Sequence, residues 1–151
     1  MPKCLTMSPQ LLGILVGGLV PALGYALFAV WTKSGSQAGI GAGPFLVVVG
    51  FACVVTGAIF SALLPANWNT RSVAFSLAAG VVWAAGTGFV SLALTRWGIP
   101  ISKLNPLYNT NTLITVLLGL VVFQEWKQVN AWQLLGGATL ILAGSLLVSR
   151  A

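Results

Sequence analysis

The chain has 151 residues, 58% hydrophobic and only 5% charged, and its seven Lys and Arg against one acid give a net charge of +6. A soluble domain carries about 25% charged residues, and a small one cannot hide this much apolar surface from water. The composition therefore excludes an ordinary soluble fold and points to an all-α polytopic membrane protein, while the single, scattered basic residues exclude a nucleic-acid surface.

Taken in chain order, the first long apolar stretch is 11–31, after a weakly basic start with Lys3. A signal peptide competes for residues 1–31. The stretch is of full spanning length, however, and ends at Trp31 and Lys33, which favours a retained helix. Within it, Gly13 and Gly17 form a GxxxG that allows close backbone approach. Gly17, Pro21, Gly24 and Phe28 follow at helical spacing along one face.

A Gly- and Ser-rich break leads to a second span at 44–64, and the segment PANWNTRS leads to a third at 73–94. Gly86 and Gly88 flank Thr87 in that third span. The segment TRWGIPISK precedes a fourth span at 104–123, and QEWKQVNA precedes a fifth and shorter one at 132–149. Each stretch meets or approaches the roughly 20 apolar residues that cross a bilayer, and none contains Asp, Glu, Lys, Arg or His. The expectation is one five-helix bundle over residues 1–151, with short connections and sequential antiparallel neighbours. Trp31, Trp68, Trp97, Trp126 and Trp132 lie near span ends, as in an aromatic belt, while Trp83 lies in mid-span. The spans are continuous apolar runs without alternation, which argues against a β-barrel. Cys4 and Cys53, in a terminus and in a span, give no disulfide framework.

Five spans place the termini on opposite sides. Lys3, Arg71 and Lys127 then share one side, and Lys33, Arg96, Lys103 and Arg150 share the other. Orientation follows such a bias, and here the bias is almost level. The chain is therefore expected to insert both ways and pair as an antiparallel homodimer, or to take its orientation from a partner.

The densest polar cluster opens the fourth span. Asn105, Tyr108, Asn109 and Thr112 fall on one helical face by their spacing of three and four. In lipid such groups need partners, so the face should point into the bundle. It reads either as a substrate-facing wall of neutral donors and acceptors or as interhelical glue. Tyr25 and Trp83 are the aromatic candidates for the opposite wall. Pro106 removes a backbone donor and also suits a helix start. Gly13, Gly17, Pro21, Gly24, Gly86, Gly88 and Pro106 read either as packing positions or as hinges of a helix that bends during alternating access. Glu125, the only acid, is the coupling candidate for a proton or cation. The plainer reading makes it an interfacial ion pair or a cap on the next helix.

The second half of the chain carries a recognisable order of motifs. Ala93 and Leu94 close a small-residue helix, and Leu104, Pro106 and Leu107 open the next. Leu118 and Gly119 precede a run that ends in Glu125. Gln133–Gly136 is followed by Ile141, Leu142 and Gly144. This order resembles the EamA-type repeat of the drug/metabolite transporter superfamily, and 104–112 is also similar to the glucose/ribose porter branch. The resemblance implies a ten-helix architecture of two inverted five-helix repeats around a solute cavity. This chain departs from it by holding one repeat, so a second copy or a paralogue is expected to complete the cavity. It further implies a prokaryotic plasma (inner) membrane.

Four-helix small multidrug resistance proteins are a poorer match, because they carry a membrane-embedded glutamate in the first helix and 11–31 has no acid. A charge in that position would mark an ion pathway, so its absence argues for a neutral or zwitterionic solute such as a sugar or small metabolite. The expected function is a secondary transporter, without cofactor or metal, in contact with lipid and its solute and working as a dimer. A non-transporting membrane subunit and a small multidrug exporter are the alternatives. Without histidine no Ser/His/Asp or Cys/His set is possible, and no phosphate-binding Gly-Lys-Ser motif occurs, so an enzyme is not expected.

Overall fold

A computed structural model describes residues 8–150. Lys3 and Cys4 lie outside the described residues. Those described are helical, with no strand among them. Six helices follow in chain order: α1 (Pro9–Gln37), α2 (Ala42–Leu63), α3 (Thr70–Arg96), α4 (Ile101–Tyr108), α5 (Asn111–Val122) and α6 (Ala131–Arg150). A 3-10 turn, Glu125–Lys127, joins the last two. Four of them, α1, α2, α3 and α6, are long and apolar enough to cross a membrane.

Local chemistry sets the ends. Ser8 caps α1 through its hydroxyl, which accepts from the Leu11 N–H at 3.2 Å, with Pro9 at the first position. A proline there loses no helical bond. Asn69 accepts from the Ser72 N–H at 2.8 Å to start α3, and Asn130 accepts from the Gln133 N–H at 3.2 Å to start α6. Each side chain satisfies a donor the helix cannot. After α1 the chain turns at Gly39, whose φ of +91° suits a residue without a β-carbon.

Inside α1 the residues Leu15–Leu19 form a π turn, with the Val20 N–H bonded back to the Leu15 carbonyl. The turn lies just ahead of Pro21, which has no N–H to continue the ladder. The expected hinge residues Gly17 and Pro21 thus fall at the one irregular stretch of α1.

The fourth predicted span is not one helix. Within α4 the ladder ends where the Asn109 N–H donates to the Asn105 carbonyl at 3.2 Å. The next donors tighten to three-residue steps: Thr110 to Leu107 at 3.2 Å, Thr112 to Asn109 at 3.1 Å and Leu113 to Thr110 at 3.1 Å. The Thr110 hydroxyl also donates to the Leu107 carbonyl at 2.8 Å. Four successive Asn and Thr residues, 109–112, compete with their own backbone for hydrogen bonds, and the helix breaks among them. Pro106, expected at a helix start, instead sits inside the helix, because Pro100 already occupies the N-cap of a helix that begins at Ile101.

The helices are joined in series. Helix α2 packs on α3, α3 on α1, α1 on α4, and both α4 and α5 on α6. Sequential pairing, expected throughout, holds for α2 with α3 and for α5 with α6, whereas the main neighbours of α1 are α3 and α4. Contacts use small side chains: the buried residues are Ala29, Ala138, Thr32, Thr87, Ser91 and Ser145, with Phe45, Leu94 and Leu120. Small residues are what helices use to approach each other where lipid is as apolar as leucine. The accessible surface is 11791 Å², against about 7,000 Å² for a folded soluble chain of this mass. Its excess is apolar, as in Leu63, Val82, Phe89, Val121 and Leu147, all exposed.

Aromatic rings and cations mark the helix ends. Arg71 lies over the Phe75 ring, Arg96 over Trp97 and Lys127 over Trp126, each at 5.9 Å. Arg71 and Arg96 stand near the two ends of α3, whose 27 residues span about 40 Å at 1.5 Å per residue. That length matches a hydrocarbon core with its headgroup layers.

Candidate functional site

The broken helix carries the polar cluster that the sequence singles out. Asn105 and Tyr108 are half-buried on α4, and the Tyr108 hydroxyl donates to the Asn105 Oδ1. Thr112 is half-buried on α5, and Asn109 is exposed in the turn between the two helices. A single shared face for all four requires an unbroken helix, so the turn at Asn109 and Thr110 divides the set. Asn105 and Tyr108 bond to each other, whereas the Asn109 amide turns outward.

The eight residues of α4 rise about 12 Å and the twelve of α5 about 18 Å. Neither alone is long enough to cross a core about 30 Å thick. Irregular backbone inside a membrane is tolerated where protein or a water-filled cavity surrounds it.

Tyr25 is exposed on α1, on the outer surface of the chain. Trp83 joins an aromatic cluster: its ring centre is 6.1 Å from Phe28, and Phe28 is 6.3 Å from Phe45. These three rings tie α1, α2 and α3 together and lie on different helices from Asn105 and Tyr108.

Among the glycines, Gly88 makes a close helix contact. A β-carbon there would meet the Leu46 Cδ1 at 3.0 Å, which sets the spacing of α2 and α3. Gly13, Gly17, Gly24 and Gly86 have open space where a β-carbon would stand. The GxxxG pair Gly13 and Gly17 therefore makes no close helix contact among the described residues.

Glu125 follows Gln124, which has a φ of 55° and ends the α5 turn in a left-handed conformation. This reversal folds the Glu125 side chain back along α5 toward Gly119. The Glu125 carbonyl accepts from the Gln128 and Val129 N–H groups at 2.8 and 3.2 Å. The cap of the following helix is Asn130 rather than Glu125, and Lys127 engages Trp126.

Two features escape a reading of the sequence. Thr87 and Ser91 on α3 and Thr32 on α1 are buried hydroxyl residues, and the Thr32 hydroxyl donates to the Phe28 carbonyl at 2.7 Å. The spacing of four between Thr87 and Ser91 is the signal. A hollow of about 820 Å³ also opens between the end of α2 and the start of α3, with Ser61, Asn67, Ser72 and Ser76 among apolar walls. Ser72, Ser76 and Gly80, spaced by four, mark its α3 side.

No protein-family profile matches the chain, and neither a curated protein nor a solved structure matches it. The class rests on the helices themselves: an all-helical chain with four helices of membrane-spanning length and character.

Proposed function

We propose that this chain is a secondary transporter subunit for a small, mostly neutral solute, a sugar or metabolite, working by alternating access. The observation that carries the reading is the interruption at Asn109 and Thr110 of the helical run 101–122. Transporters place solute sites where discontinuous helices leave backbone and polar side chains available at the bilayer midplane. In this reading α4 and α5 together make the fourth of five crossings, Asn105, Tyr108, Asn109 and Thr112 offer neutral hydrogen-bonding groups to the solute, and the π turn ahead of Pro21 is a flexing point. The chain is one EamA-like five-helix repeat of a drug/metabolite transporter in a prokaryotic plasma membrane. Two such units complete a ten-helix, inverted-repeat cavity.

Glu125 is the coupling group of this reading. Its side chain turns back over the C-terminal end of α5, where the helix dipole favours a cation rather than a carboxylate. A bound proton or cation would relieve that contact.

The test is uptake of a solute panel into proteoliposomes holding this protein alone. Saturable uptake that Asn109→Ala abolishes supports the proposal. The uncovered apolar surface favours a second reading, a subunit that works only with a paralogous five-helix chain. Absence of uptake alone, with uptake on adding that partner, selects it.

A further inference from the structure

We propose that a second, oppositely inserted copy of this chain packs beside the α4–α5 break, so that the Asn111 carboxamides of the two copies hydrogen-bond to each other across a two-fold axis in the bilayer midplane, while Asn109 stays with the solute. The proposal rests on the five-crossing reading above and names the partner of that same site.

Asn109 and Asn111 are both exposed. Among the described residues, no side-chain hydrogen bond engages either carboxamide. The backbone is short of a partner as well, since the Thr110 N–H turns to the Leu107 carbonyl and forsakes that of Pro106. Hydrocarbon supplies no hydrogen bonds, and an unmet polar group there costs several kcal/mol. Something polar must cover this face.

A carboxamide is the side chain best suited to cover itself, because it both donates and accepts. Two-fold contacts are isologous, so a residue on the axis meets its own copy. For an axis in the membrane plane, only mid-depth residues satisfy that condition. In the five-crossing reading the break lies near mid-depth, whereas the C-terminal end of α5 does not.

The neighbouring side chains fit a helix seam. Asn111, Ile114, Leu118 and Val121 recur at three and four along α5, and all four are exposed. On the far side of the break Leu107 is exposed too. An apolar stripe interrupted by one asparagine is the pattern that fixes register between paired helices, because a slipped register leaves the amide unpaired. The level distribution of Lys and Arg between the two sides permits both insertions that such a pair needs.

The experiment is disulfide cross-linking in native membranes, with single cysteines placed in a chain carrying Cys4→Ser and Cys53→Ser. Asn111→Cys is expected to cross-link to its own copy in most of the protein. Val121→Cys is expected not to, since an antiparallel pair separates the two copies of that residue by about 30 Å. Leu107→Cys on one tagged copy is expected to cross-link to Ile114→Cys on another. That pair carries the test if Asn111→Cys fails to accumulate. Homotypic cross-links at both 111 and 121 would indicate parallel copies and overturn the proposal. Labelling of Asn111→Cys by a membrane-impermeant thiol reagent without dimer formation would indicate a water-filled cavity and overturn it too, as would a cross-link to a different protein. Because these readouts need no solute, a chain that cross-links as expected but shows no uptake sinks the transport reading and leaves this one standing.

Discussion

The side chain of Glu125 lies against Gly119: a β-carbon on Gly119 would stand 2.7 Å from the Glu125 Oε2. The only carboxylate of the chain is thus held near a bare stretch of helix backbone, six residues upstream, by the left-handed turn at Gln124. Any side chain at 119 moves the carboxylate aside, and because the obstacle is the tip of a flexible side chain, the move is cheap.

Gly119→Ala should therefore leave the fold intact. The exchange adds about 1 kcal/mol of helix propensity, so the melting temperature in detergent should hold or rise slightly. If Glu125 couples a proton to transport, Gly119→Ala should alter the pH dependence of uptake, and Glu125→Gln should remove it while assembly persists. An uptake profile across pH that neither change moves would reject the coupling role.

Gly88→Val should separate α2 from α3. The first added carbon already meets Leu46 Cδ1 at 3.0 Å, and overpacking of this kind costs about 1–3 kcal/mol. Adding Leu46→Ala should recover most of the loss. A thermal-stability double-mutant cycle measures this; a zero coupling term would mean the contact carries no energy.

Phe28→Ala should weaken the joint between α1, α2 and α3, because Phe28 touches both Trp83 and Phe45. Aromatic pairs contribute about 0.5–1.5 kcal/mol each beyond their area, so a loss on the order of 2 kcal/mol is expected. Trp83→Phe should keep assembly. Uptake lost in that variant at normal stability would return Trp83 to the solute path.

Replacing Asn109, Thr110 and Asn111 with alanine should mend the broken helix. Each exchange gains a few tenths of a kcal/mol in propensity and removes a competitor for backbone bonds. Circular dichroism should report more helix, while saturable uptake should disappear. Retained uptake in a more helical chain would show that the break plays no part in transport.

A reporter fused to the C-terminus should read on both sides of the membrane, as the level charge distribution implies. Signal on one side alone rules out dual insertion.

Composition alone determined that the helices belong in lipid. Long runs free of charge cannot be hidden in a soluble core of this size, and the predicted spans 11–31, 44–64, 73–94 and 132–149 fall within or nearly coincide with α1, α2, α3 and α6. Hydropathy is a sum over residues, so it survives without any knowledge of neighbours. The run 104–123 is likewise free of charge and reads as one helix. Only the three-dimensional structure divides it, because the outcome turns on which carbonyl the Thr110 N–H and hydroxyl reach, and hydropathy is blind to that choice. The same limit applies to Trp83: spacing along a helix says which residues share a face, while packing between helices decides what that face meets, here Phe28. Gly119 and Glu125 lie in plain view as parts of one motif, yet their contact depends on the reversed backbone at Gln124, a single dihedral that no count of residues reveals.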